Sequence, residues 1–587
     1  MTPEGFAKVF SLHKSVRGVQ RATGISYGSV HRVYVEAVNK GLVEREAMGR
    51  KPANGKHSVG CSGKGGSGEA SNRPKDPKPE GRIKVLKHTD FDLPADGKIK
   101  RYFFTSAQNA TKIHKPFWEN LLALADHYTA EVFVSRFTYA KSGFGADGDK
   151  ASYIKRETNP DEEGKRKDAW WAKELNDHFL DDQVNVAPGL VFNGRMNILP
   201  TAARPLSGFE TFNGRKSGIF PHVKLAMQSI PSGKHEPTKF NYTTGTVTQR
   251  NYIQKKAGLK GEFHHCYSAL LVEVDSRGNW WVRQINADST GTIYDKTLCA
   301  RGGEVTDGHR VEAITWGDIH VRQMDPMVRR LGFAEGGMLD TLKPKHQFFH
   351  DVLDFRARSH HDMKDPFRLY ERWLHNEEDV HAEVKETAHF LASESYRSWC
   401  KNVVVDSNHH NHLGRWLKEQ DARWDPINVD FWLAMNKVVY DTLRAKRVPN
   451  FLRLACNVIG DWNYKGDGWK NIQRFQFLDE DEGYVICDDA GGGIQCGQHG
   501  DLGPNGSRGS PLTLARMGRK ANTGHTHSAG IFDGVYVSGT SSILDPDWVK
   551  GPSSWSHSHT VTYPNGKRAI YTMWADSWAA GHTVPSN

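Results

Sequence analysis

The chain has 587 residues, 37% of them apolar, and a formal net charge of +10 from 78 Lys and Arg against 68 Asp and Glu. That length exceeds the ~250–300 residues one core supports, so two or three domains are expected, and the 17 Trp and 27 Phe argue against a disordered polymer. No run approaches the ~20 apolar residues that span a bilayer, and seven scattered cysteines (61, 266, 299, 400, 456, 487 and 496) without a C-x-x-C pair argue against a disulfide framework or zinc ribbon.

The first residues lack an export signal, so a cytoplasmic location is expected, without a membrane partner. The positive balance points to a polyanion partner, DNA being the natural one, and a homo-oligomer is left open. Residues 1–45 read as three short helices, the first over Glu4–Ser15 with Phe6, Val9, Phe10 and Leu12 as apolar positions. Gly24 stops the second helix and Ser26 caps the third. This pattern resembles a helix-turn-helix, which implies that Tyr27, Ser29, His31 and Arg32 face a major groove. Residues 46–82, rich in Gly, Ser, Pro and Lys, read as a flexible basic linker.

Residues 83–305 read as an α/β domain of unknown role. Strands are expected at Tyr102–Ser106 and Ala130–Ser135, a helix at Pro116–His127, and a hairpin at Ser268–Val274 and Trp280–Ile285. Residues 306–587 read as a layered α/β domain, with strands at Val311–Trp316, Asn402–Val405, Tyr484–Cys487 and Gly534–Val537. Helices are expected at Pro366–His375 and Val429–Lys446, and a closing hairpin turns through Pro564–Lys567.

Two strings in this last region carry the chemistry. Gly317-Asp318-Ile319-His320 and Gly524-His525-Thr526-His527 each set two metal-binding side chains one residue apart behind an expected strand, with Asp351, Asn408-His409 and His499 between them. Oxygen and imidazole ligands without thiolate suit manganese, iron or zinc. Two such ions clamp a phosphoester through one bridging carboxylate.

These residues resemble the calcineurin-like metallophosphoesterase superfamily over roughly Val311 to Met573. Its Asp-x-His is Asp318–His320. Its Gly-Asp-x-x-Asp is Asp351–Asp354, with His350 replacing the glycine. Its Gly-Asn-His-Asp/Glu is Ser407-Asn408-His409-His410, its lone histidine is His499, and its Gly-His-x-His is intact at Gly524–His527. The resemblance implies a mixed β-sandwich flanked by helices and two divalent ions, Mn2+ first, with Mg2+, Zn2+ or Fe2+ as alternatives. Asp318, His320, Asp351 and His527 would hold one ion, and Asp351, Asn408, His499 and His525 the other. His409 would assist the leaving oxygen. His410 stands where the family has an acidic residue, so either Asp406 or Asp354 is expected to orient His409, or its orientation differs. Asp354 and His410 themselves would support the ligands from behind. The neighbouring His360, His361 and His412, like His264 and His265, read as ordinary surface or supporting groups.

The implied activity is phosphodiester hydrolysis by a metal-activated water. The helix-turn-helix, basic linker and positive charge tilt the substrate towards DNA, as do Arg508, Arg516, Arg519 and Lys520 close in sequence to the last ligands. The layout also resembles early host-DNA-degrading proteins of tailed phages, which would place the chain in the host cytoplasm. A phosphomonoesterase or cyclic-nucleotide phosphodiesterase, and a DNA-binding regulator on an inactive phosphoesterase scaffold, are the alternatives.

Overall fold

In the computed structural model, residues 2–13, isolated positions between 19 and 42, and residues 90–139, 171–463, 467–546 and 549–585 are described. The chain divides into two compact units, Met1–Glu80 and Gly81–Asn587. In the first, a helix over Pro3–His13 buries Phe6 against Val19, Tyr34 and Ala37. The expected groove-facing residues Tyr27, Ser29, His31 and Arg32, and the linker at 46–82, lie outside the described residues.

The second unit is mixed α/β, built on several sheets. A four-stranded sheet contains Ile99–Gln108, Glu131–Phe137, Ser268–Asp275 and Trp280–Asn286. Side chains alternate along a strand, so Tyr102, Phe104, Leu270 and Val272 point into one core, shared with Phe192, Ile219 and Tyr242. Phe103, Val132, Val134 and Leu271 point the other way and cover the helix Lys115–Tyr128 through Phe117, Leu121 and Leu124. Pro116 starts that helix, where a missing N–H costs nothing.

A six-stranded sheet runs in the order Gln476–Phe477, Lys401–Val404, His346–Phe349, Ala313–Thr315, Ser558–Thr562, Arg568–Thr572. Its first four strands are parallel, and Ser558–Thr562 of the closing hairpin runs antiparallel both to Ala313–Thr315 and to Arg568–Thr572. Alternation again sets the layers. Ile314, Phe349 and Val404 pack among helical residues such as Leu331, Val384, Phe390 and Leu413, whereas Ala313, Phe348 and Val403 meet Ile486, Ile494 and Cys496. Those last three belong to, or adjoin, strands of a ten-stranded sheet.

This third sheet spans the expected domain boundary at 305/306. Met227–Ile230, from the middle segment, pairs with Gly530–Phe532, from the C-terminal one, joining five strands from each into one sheet. Continuous backbone pairing makes one unit of the two expected domains. The pairing joins Gly530 to Gln228 and Ile531 to Met227, 302 and 304 positions apart, which no local pattern announces.

Candidate metal centre

The candidate ligands gather just beyond the carboxyl ends of the parallel strands, where backbone leaving a sheet can turn freely. Asp318 and His320 follow Ala313–Thr315, Asp351 follows His346–Phe349, and Asn408 opens the helix Asn408–Glu419 beyond Lys401–Val404. His525 and His527 follow the strand Lys520–Thr523. Backbone hydrogen bonds fasten these loops together. Ile319 N–H donates to the His350 carbonyl at 2.9 Å, His320 N–H to the Asp351 carbonyl at 2.8 Å, and Gly524 N–H to the His499 carbonyl at 2.8 Å.

The glycines of both motifs are required by close approach. A Cβ on Gly317 would sit 2.8 Å from the backbone of Gly539 and Thr540, and one on Gly524 would collide with the Asp318 carboxylate. His525 N–H fills that space by donating to Asp318 Oδ2 at 2.7 Å. Four expected ligands hold left-handed backbone: His320 (φ 45°), Asp351 (φ 44°), His525 (φ 72°) and His527 (φ 56°). Each such turn costs ~1–2 kcal/mol for a non-glycine residue, a strain that concentrates at functional sites.

Asp318, His320, Asp351 and His527 are all buried, with one ligand atom from each within 4.8 Å of the others. His527 Nε2 lies 3.1 Å from Asp318 Oδ2 and 3.2 Å from His320 Nε2. On the other side of Asp351, His499 Nε2 comes to 3.0 Å of Oδ2, the His499 and His525 rings lie 5.1 Å apart, and Asn408 shares the cavity with Asp351 and His525. Buried polar atoms without partners are rare, yet Asp318 Oδ1, Asp351 Oδ1, Asn408 Oδ1, His499 Nε2 and His527 Nδ1 are all buried without a hydrogen bond. Buried carboxylate, amide and imidazole atoms without partners are a donor set a cation satisfies, so the residues fit divalent metal.

Charge reinforces this reading. Burial would lower His320 and His499, but Asp354 beside the first and Asp351 and Asp318 beside the second push each up to about 9. Burial opposes the charge on Asp318, yet His499 and His527 hold its carboxyl below the ordinary range. Carboxylates are thus balanced by imidazole protons that a cation would displace.

Asp354 resolves the question left by His410. Its carboxylate lies 3.0 Å from His320 Nδ1, which directs Nε2 towards the cluster. Its backbone carbonyl accepts from His409 Nδ1 at 2.9 Å, with Asp354 Oδ1 at 3.5 Å. A carbonyl only accepts, so Nδ1 carries the proton and Nε2 is the nitrogen left for chemistry. Asp406 instead accepts from Asn411 at 3.2 Å. His410 is buried, held down to about 3 by burial, and its Nε2 accepts from Val352 N–H at 3.0 Å. It anchors the loop carrying Asp351. Ser407, where the family has glycine, caps the helix through its hydroxyl.

The site opens on a cavity of about 680 Å³ lined by His320, Asp351, Asn408, His409, His525 and His527, among others. Its cationic lining is Arg356, Arg368 and Arg372, not the expected Arg508, Arg516, Arg519 and Lys520. Nearness in sequence to His499 and Gly524 did not carry those side chains into the cavity.

Three supporting residues were missed. His350 stacks on His499 at 5.5 Å, with their Nδ1 atoms 3.3 Å apart. Trp555 meets the His527 ring edge-on at 4.1 Å. His559 Nδ1 accepts from Gly317 N–H at 3.0 Å. Only His350, next to Asp351, had a signal in the sequence.

Among the described residues no helix is long and apolar enough to cross a membrane. No family model matches the chain, and no solved structure does. Protein A1 of Escherichia phage T5 is 35% identical over 483 residues, 80% of this chain and 81% of that protein. On that extent of shared sequence, the chain belongs to the family of the phage T5 Protein A1.

Proposed function

We propose that the chain is a two-metal phosphodiester hydrolase of the calcineurin-like type, a Mn2+-dependent DNA nuclease. The observation that carries the reading is the convergence of Asp318, His320, Asp351, His499 and His527, from four separate loops, with five buried donor atoms left unpartnered. Asp318, His320, Asp351 and His527 would hold one ion, and Asp351, Asn408, His499 and His525 the other. A pair of divalent ions bound there supplies a polarised phosphoryl group and an acidified water.

The chain's own residues supply the rest. Asp354 orients His320 from behind and fixes the tautomer of His409. Nε2 of His409 is then the atom that gives a proton to the departing oxygen. Arg356 in the cavity wall presents charge to the phosphate backbone. Towards DNA point the net charge of +10 and the helical N-terminal unit, with DNA the expected partner of both.

The test is incubation of the full chain with linear and circular duplex DNA in Mn2+, Mg2+ or chelator, beside p-nitrophenyl phosphate and its bis-ester. Cleavage of DNA and diester in Mn2+, abolished by chelator, is expected. Hydrolysis of the monoester alone would establish a phosphatase, and metal-independent or absent cleavage would overturn the reading.

A further inference from the structure

Beside the paired-metal cluster lies a second group of imidazoles that the proposed mechanism does not use. His412 sits one turn after His409 on the helix Asn408–Glu419, so the two share a face; their rings are 4.9 Å apart. The loop after Asp354 folds His360 and His361 over it, at ring distances of 4.6 and 5.7 Å from His412 and 3.8 Å from one another. One nitrogen from each of the three lies within 4.8 Å of the others. His360 Nδ1 is buried without a hydrogen-bond partner, and His361 and His412 line the same cavity as the paired cluster.

From this geometry we infer a third divalent-cation site, formed by His360, His361 and His412, that takes Zn2+ and leaves one coordination position open. An imidazole-only set without carboxylate selects zinc-like ions over Mg2+ or Ca2+, and three histidines with an open fourth position form a familiar zinc geometry. The charge state agrees. Burial and the neighbouring His409 and His360 rings hold His412 down to about 3, and burial and His361 keep His360 below its ordinary value. A neutral ring offers a lone pair to a metal, whereas a doubly protonated one offers none and suits a phosphate better. An ion here would sit beside the route to His409 and offer its open position to a phosphate neighbouring the scissile one.

The site stands apart from the two-metal reading, and its test separates the two. Full-length protein stripped with chelator is equilibrated with Zn2+ and its bound metal counted, for the wild type, His361→Ala, Asp351→Ala and the double variant. His361 is exposed, so its loss should leave melting unchanged. One zinc equivalent fewer in His361→Ala than in the wild type is expected, as is one retained equivalent in Asp351→Ala that the double variant lacks. Co2+ in Asp351→Ala should give the visible absorption of a four-coordinate, nitrogen-ligated ion, lost on adding His361→Ala. Equal zinc counts with and without His361, or no cobalt spectrum in Asp351→Ala, would overturn the inference. An Asp351→Ala protein that keeps all its metal would instead sink the paired site alone.

Discussion

Two groups of charged side chains are buried within Gly81–Asn587, and their hydrogen bonding is opposite. Around Arg283, Nε and Nη2 donate to Asp295 at 2.5 and 2.7 Å and Nη1 donates to Glu273 at 2.6 Å. Tyr128 and Tyr571 hydroxyls donate to Asp295 at 2.5 and 3.1 Å, and Arg101 and Ala580 N–H donate to Glu273 at 2.8 and 3.2 Å. Every carboxylate oxygen there has a donor. Around Asp351 the network stays incomplete, with Asp318 Oδ1, Asp351 Oδ1 and Asn408 Oδ1 buried and left open. A buried network that closes on itself holds elements together, here the middle strands and the C-terminal hairpin. One left open on strained backbone costs stability and is kept for what it binds.

That contrast can be broken at several points. Asp351→Ala should strip the paired metals and reduce DNA cleavage to background, and Mn2+, which should raise the melting temperature of the wild type by mass action, should no longer do so. Metal analysis and a thermal scan check both effects. His409→Ala should leave metal content unchanged while turnover falls by ~10²–10⁴-fold; equal metal loss in both variants would refute the role of Nε2.

At the closed cluster the effect should move to stability. Arg283→Met takes away the buried cation shared by Asp295 and Glu273, leaving Asp295 without its ion pair and Glu273 with Arg101, and should cost ~3–5 kcal/mol, read as a lower urea midpoint, with metal content unchanged in the protein that stays folded. The smallest effect should come from acid. Against the burial that would raise it, Arg283 and Lys296 hold Glu273 down to about 2, below its ordinary 4.5. Its contribution is therefore complete above the unfolded value and fades as pH falls through that range towards 2. Urea midpoints from pH 6 to pH 3 should fall for the wild type, and less steeply for Arg283→Met. Parallel slopes would dissociate the acid response from this pair.

Local pattern made the strands and the candidate ligands legible. A run that reads as a buried strand marked Tyr102–Ser106 inside the strand Ile99–Gln108, and the expected helices at Pro116–His127 and Pro366–His375 appear as Lys115–Tyr128 and Pro366–Leu374. A ligand set of this kind needs two side chains per tight turn, so Asp318, His320, His525 and His527 announce themselves by spacing. Their supporters do not. Asp354 serves His320 and His409 at once because two loops meet there, and neither loop encodes the meeting.

From sequence alone came the identity and order of the candidate ligands, the mixed α/β character and the positive charge, all set by short-range chemistry within a few residues. Tertiary structure decided that the middle segment shares one ten-stranded sheet with the C-terminal segment, that Asp354 rather than Asp406 orients His409, and that His360, His361 and His412 come together. Each of these depends on contacts between residues tens to hundreds of positions apart. Such contacts are selected by packing and backbone pairing across the whole unit, where no window of sequence contains both partners.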